Sequence, residues 1–230
     1  MRYPILIIVL MALSCPFMAS AQAPKGSADL ERILDSMDRA AASFRNSQAD
    51  FVWEQFQKVV NETDVQKGTI YFRRQNKEVQ MSADVREPDR KQLLFTDGKV
   101  RIYQPRIDQV TEYSAGKNRQ EFESFLVLGF GGRGHDLLNG FDVSYEGMET
   151  IAGQQAARLL LVPKSDRVRG MFQKIFLWID PARGISLQQQ FVEPSGDHRL
   201  TKYSNIKMNG NLPDNTFKLQ TTGKTKVIRP

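Results

Sequence analysis

Cysteine occurs once, at Cys15, and histidine twice, at His135 and His198, in a chain of 230 residues. No intrachain disulfide can form, so the fold depends on its core rather than on cross-links. The two histidines lie far apart with no second ligand at metal spacing. Both read as surface or loop residues, and no metal is expected. A G-x-S-x-G elbow is missing, and Cys15 falls in a segment expected to be removed, so nucleophilic catalysis has no visible actor. No pair of carboxylates stands out, and neither enzymatic activity nor a cofactor is expected. The 32 basic and 26 acidic residues give a net charge of +6, scattered without a like-sign block. That excludes a nucleic-acid stripe and leaves mild attraction to an anionic membrane surface or acidic partner. Low-complexity tracts and repeats at a solenoid period are also absent.

Long apolar runs are scarce. The one at the N-terminus, Ile5 to Leu13, follows Arg2 and leads to Ala19-Ser20-Ala21. A basic start, a short apolar middle and a small-x-small ending make a secretory signal over residues 1–21, cleaved after Ala21. The run is too short for a confident membrane span. Residues 22–230 then form a single domain. Cys15 leaves a second reading, a lipid-modified cysteine, although Ala12 stands where a leucine would be expected.

What the mature chain has in quantity is short alternating runs. Val79, Met81, Ala83 and Val85 share one face, with Gln80, Ser82, Asp84 and Arg86 on the other. Gly68–Arg74, Leu93–Phe95, Val100–Pro105 and Gln109–Tyr113 join this run in an antiparallel meander. Asp97-Gly98 suits a two-residue hairpin. A strand is expected over Ala49–Val60, and further strands over Phe141–Tyr145, Ala156–Val162, Lys174–Asp180, Ile185–Val192, Leu200–Met208 and Phe217–Gln220.

Helices are few. Ser27 can cap one, with Asp29 and Glu31 in its first turn. Leu30, Ile33, Leu34, Met37, Ala41 and Phe44 form its apolar stripe, to about Arg45. Asn118 and Glu121 form a possible capping box for a second helix through Phe122, Phe125 and Leu126 to Gly129, and a short helical piece is expected near His135–Leu138. About eleven strands with two or three helices predict a mainly β (α+β) fold. It is a single, strongly curved antiparallel sheet, an unclosed half-barrel with the helices as a lid on its concave face.

Gly129-Phe130-Gly131-Gly132-Arg133-Gly134 fits the letters G-x-G-x-x-G but lacks the strand before and the helix after that a dinucleotide loop needs. Gly129, Gly131, Gly132 and Gly134 read instead as a hinge. Met37, Phe44, Trp53, Val79, Met81, Phe122, Phe125, Leu126 and Leu128 supply a flexible, aromatic apolar surface. They form either a permanent core or a cavity for apolar guests.

With these residues in place the chain resembles the periplasmic outer-membrane lipoprotein carriers of the LolA type. The likeness runs through Ser43–Gln55, Gly68–Arg74, Asp97-Gly98-Lys99, Tyr103-Gln104-Pro105, Gln109-Val110, Leu161–Lys164 and Asn211-Leu212-Pro213 up to Phe217. It implies the half-barrel fold and a monomeric periplasmic shuttle. Such a shuttle takes lipoproteins from an inner-membrane ABC complex, shields their acyl chains, and delivers them to an outer-membrane receptor. Arg74 takes the place of the family's gating arginine, although Gln75 follows it where the family has proline, which leaves Arg73 as the other choice. Alternatives of the same fold are a lipid or lipoprotein sensor and a lipid-anchored acceptor; a hydrolase is the rival from outside it.

Overall fold

The computed structural model describes residues 25–75, 78–114, 116, 125 and 128–230. The signal segment, Asn118, Glu121, Phe122 and Leu126 lie outside them. Three described helices, α1 (Lys25–Ser43), α2 (Leu137–Gly140) and α3 (Asp166–Met171), accompany twelve strands. These are β1 (Asn46–Gln57), β2 (Glu62–Gln75), β3 (Glu78–Glu87), β4 (Lys91–Thr96), β5 (Lys99–Gln104) and β6 (Gln109–Ser114). After them come β7 (Phe141–Ile151), β8 (Gln154–Pro163), β9 (Lys174–Asp180), β10 (Ile185–Val192), β11 (His198–Met208) and β12 (Lys226–Ile228).

All twelve strands form one sheet in the order β12-β6-β5-β4-β3-β2-β1-β11-β10-β9-β8-β7. Two meanders, β1 to β6 and β7 to β11, join where β1 pairs with β11, and β12 and β7 are left as free edges. The sheet is therefore an unclosed half-barrel. Antiparallel pairing along each meander follows from its short turns. Between β4 and β5, Asp97 and Gly98 both take positive φ (56° and 68°), the mirror-image turn that suits strand twist.

Alternation places the apolar residues of β1 to β4 on the concave side. Ala49, Phe51, Ile70, Phe72, Met81, Ala83, Val85 and Phe95 are all buried there with Phe44. On the other half, Leu159, Leu161, Ile175, Leu177, Ile179 and Phe191 form a second buried cluster against Ile33, Leu34 and Met37 of α1. The stripe of α1 thus lies on β7 to β10, and Phe44, just beyond the helix end, reaches the first cluster.

Several boundaries differ from the sequence reading. Helix α1 already includes Lys25, so Ser27 sits within it and is not its cap; the helix ends at Ser43, short of Arg45. The first strand runs Asn46–Gln57, shifted toward the N-terminus because its pairing with β2 begins at Asn46↔Arg73. Phe217–Gln220 is not a strand. The chain there makes turns, and Phe217 is buried beneath the Arg73 guanidinium, 4.2 Å from its ring centre. The last strand is instead β12, parallel to β6 and so the exception in an otherwise antiparallel sheet. Thr222 and Thr225 fix it by donating to the Asp108 carboxylate, each at 2.6 Å.

The outer face of β8 to β11 holds an apolar cluster of its own, with Ala156, Phe176, Trp178 and Leu187 buried. Arg158 lies 4.4 Å from the Phe176 ring centre, and the Trp178 indole donates to Glu149 at 2.6 Å.

Candidate functional site

The concave face is covered by α1 and the segment 128–136. Two neighbours in this segment anchor it in opposite halves of the core: Leu128 joins the α1 cluster and Phe130 joins the β1–β4 cluster. Gly129, at φ 76°, makes this divergence possible. Phe130 stacks on Phe72 with ring centres 5.2 Å apart and meets Tyr203 edge-on at 4.8 Å. The backbone is stitched to β10 as well: Ser186 N–H donates to Gly129 O at 2.9 Å, and the Gln189 amide donates to Leu128 O. Tyr203 Oη donates to Gln189 Oε1 at 3.3 Å, and burial holds the Tyr203 pKa well above the usual phenol value.

The glycines at this site serve close approach. A methyl group on Gly131 (φ 85°) would lie 2.5 Å from the Phe44 ring, and one on Gly134 would lie 2.5 Å from the Leu34 carbonyl oxygen on α1. Gly132 lines both clefts described below.

Two clasps hold this cover at its margin. Arg74, at the end of β2, donates through Nη1 to Ala41 O of α1 at 3.1 Å and through Nη2 to Gly131 O at 2.5 Å. Its neighbour Arg73 points to the other face and donates to Gln80 Oε1 at 3.1 and 2.6 Å. Strand alternation separates the two arginines, so the bonds to the cover belong to Arg74.

The second clasp is His135. Its Nδ1 is 2.9 Å from Asp38 Oδ2 and its Nε2 3.1 Å from Glu31 Oε2, while its backbone N–H donates to Asp38 Oδ1 at 3.2 Å. Arg133 adds an ion pair to Asp38 at 3.3 Å. Hydrogen bonds to Glu31 and Asp38 raise the His135 pKa. Desolvation pushes the Asp38 carboxyl upward, but the bonds from His135 and Arg133 outweigh it and leave a net lowering. Glu31 and Asp38 lie two turns apart on one side of α1, so a single imidazole can reach both. Among the described residues no three side chains converge as a metal site.

Of the apolar residues nominated from the sequence, Met37, Phe44, Trp53, Val79, Met81, Phe125 and Leu128 are brought together on this face; Phe122 and Leu126 lie outside the described residues. Met37 lies in the α1 cluster, Phe44 and Met81 in the β1–β4 cluster, and Trp53 packs against the β1–β4 cluster from its rim. Phe125 packs edge-on against Phe172 and Phe141, with ring centres 5.6 and 6.3 Å apart. Among the described residues the chain's own side chains fill much of the concave face, and two clefts open at the edge of the cover. A cleft of about 470 Å³ lies between Arg74, Val79, Ala41 and Gly131, and one of about 400 Å³ between Met37, Leu128, Leu137 and Phe141. Both fall in the size range of small-ligand pockets. Phe130 and His135 are among the residues that the sequence reading did not place here, with Asp38, Arg133, Gln189 and Tyr203. The glycines flanking Phe130 were its signal, whereas nothing local marks His135.

Over residues 42–220 the chain matches the family model described as outer membrane lipoprotein carrier protein LolA. No curated protein matches it in sequence. Solved structures share its fold at low identity. A chain of the Pseudomonas aeruginosa MucA/MucB complex aligns with a TM-score of 0.51 and 16% identity, over 83% of this chain and 61% of that one. An uncharacterized conserved protein of Thermus thermophilus aligns at 0.56 and 15%, over 88% and 99%. The Mycobacterium tuberculosis lipoprotein LppX aligns at 0.50 and 11%, over 81% and 99%. The chain thus spans about three-fifths of the first of these.

Proposed function

We propose that this chain, which belongs to the LolA family of outer membrane lipoprotein carrier proteins, is a periplasmic carrier that shelters acyl chains of lipoproteins under α1 and the segment 128–136. In this reading residues 1–21 direct secretion, an inner-membrane ABC complex loads the cargo, an outer-membrane receptor accepts it, and no covalent chemistry takes place.

One observation carries the reading. An apolar concave face is covered by a helix and a glycine-broken segment, fastened at the margin by polar clasps rather than by sheet pairing. Each buried methylene is worth about 0.8 kcal/mol, so a single long chain could gain roughly 10 kcal/mol on entry. In the closed state Phe130, Met37 and their neighbours occupy that space, and the cargo has to displace them. A closed state favoured only modestly lets the same protein load and release. Arg74 acts as the gate, and the glycines from Gly129 to Gly134 as the hinge on which the cover lifts.

Native mass spectrometry of the protein taken from its own periplasm tests this. An acylated molecule retained at one per chain is the expected result. Only the bare chain mass, under conditions that preserve non-covalent lipid complexes, would count against it.

A further inference from the structure

On the concave face, away from the clasps, β1, β11 and β10 place Trp53, Arg199 and Phe191 side by side. The Arg199 guanidinium carbon lies 5.7 Å from the Trp53 ring centre and 5.3 Å from that of Phe191. Phe191 belongs to the core under α1, and Trp53 packs against the cluster around Phe51. Arg199 therefore stands where the two halves of the apolar lining meet. Strand alternation puts it on the face of Thr201 and Tyr203, and Tyr203 reaches Phe130 beneath the cover.

Among the described residues no carboxylate forms an ion pair with Arg199, and no oxygen accepts a hydrogen bond from its guanidinium. By contrast, Arg74, Arg101, Arg158 and Arg183 each have oxygen partners. Aromatic rings stabilise a guanidinium through their faces but leave its N–H donors unused. Arg199 is half-buried; burial presses its pKa downward, opposed by Tyr203 and Glu193, and the guanidinium keeps its charge. A second polar atom on the same face is also unpaired: Gln66, directly across from Trp53 in the β1–β2 register, has a buried Oε1 with no partner.

We propose that Arg199 anchors the acidic head of an amphiphile, a carboxylate or phosphate, whose apolar chain runs from there toward Tyr203 and Phe130. A guanidinium receives either anion through paired N–H···O bonds and stays flat between two rings while doing so. Tyr203 is four residues up β11, about 13 Å at strand rise, which gives a medium-length acyl chain room to lie along the face once the cover lifts. This rests on the carrier reading and adds a class of ligand to it: acyl chains with an anionic head in preference to neutral ones.

Isothermal titration calorimetry of the mature chain with laurate, dodecyl phosphate and dodecanol tests it. The wild type is expected to bind the two anions at least about tenfold more tightly than the alcohol. Arg199→Gln should bring laurate down to the level of dodecanol, and Arg199→Lys should keep part of the preference. Thermal melts of both variants check that they fold. Equal binding of all three by the wild type, or an anion preference that survives in Arg199→Gln, overturns the inference while leaving the carrier reading in place. Binding of none of the three overturns both.

Discussion

Arg74 donates to the Gly131 carbonyl oxygen at 2.5 Å, and with the same guanidinium to Ala41 on α1. One side chain at the end of β2 thus holds both parts of the cover. Replacing it with methionine keeps the apolar stem and removes both bonds. The expected loss is about 1 kcal/mol, or about 3 °C in Tm, because the group is near the surface. Amide exchange in 129–136 should speed up more than exchange in β8 or β9. A uniform change across the chain would contradict a local clasp.

Gly134 lets the segment pass directly under α1. Gly134→Ala puts a methyl group 2.5 Å from the Leu34 carbonyl oxygen, and that backbone can yield only if the helix shifts. A loss of about 2 kcal/mol, or about 6 °C, is expected by thermal melting. Gly140→Ala is the control: no atom lies within 4 Å of the new methyl, and Tm should scarcely move.

The His135 clasp sets a pH dependence. Its pKa is raised in the folded chain, so its contribution is complete below the ordinary histidine value of 6.5 and is lost as pH rises through the raised value. Asp38 works in the opposite sense: its lowered pKa means its contribution is present above 3.8 and is lost as pH falls through the lowered value. Glu31, Asp38 and Arg133 are the charged groups that face the imidazole or its partner. The Tm gap between wild type and His135→Gln should be widest in mildly acidic buffer and close above neutrality. A gap that grows with pH would reverse the assignment.

At the far edge Glu112 accepts from Arg101 at 2.8 Å, Arg229 at 3.0 Å and Lys99 at 3.1 Å, which lowers its pKa to about 2. Its contribution is present above 4.5 and is lost as pH falls toward about 2. Glu112→Gln should loosen β12, so limited proteolysis should release the C-terminal residues sooner at neutral pH. Unchanged release kinetics would show that the backbone pairing of β12 with β6 suffices.

Period-two patterning made the meander legible. Met81, Ala83 and Val85 face the core as their spacing requires, and Asp97-Gly98 turns as its residue types dictate. The helix stripe named the right residues, but Phe44 reaches the core from beyond the helix end, which spacing cannot distinguish from one more turn. Strand β12 was illegible because Val227 is exposed and the strand is fixed by contacts with Asp108 and Glu112, over a hundred residues away. The outer cluster had a signal in the unbroken Ile175-Phe176-Leu177-Trp178-Ile179 run, where both faces are apolar. His135 and Arg199 carry no local signature, because each is defined by groups that only the sheet topology brings near.

The central claim is that acyl chains can replace the side chains filling the concave face. Titration of the mature chain with a fluorescent acyl probe, followed by displacement with unlabelled fatty acid, tests it most directly. Saturable binding at one probe per chain, weakened when Met37 is changed to a charged residue, is the predicted result. A folded protein whose probe signal rises without saturation, and which unlabelled fatty acid does not displace, would contradict it.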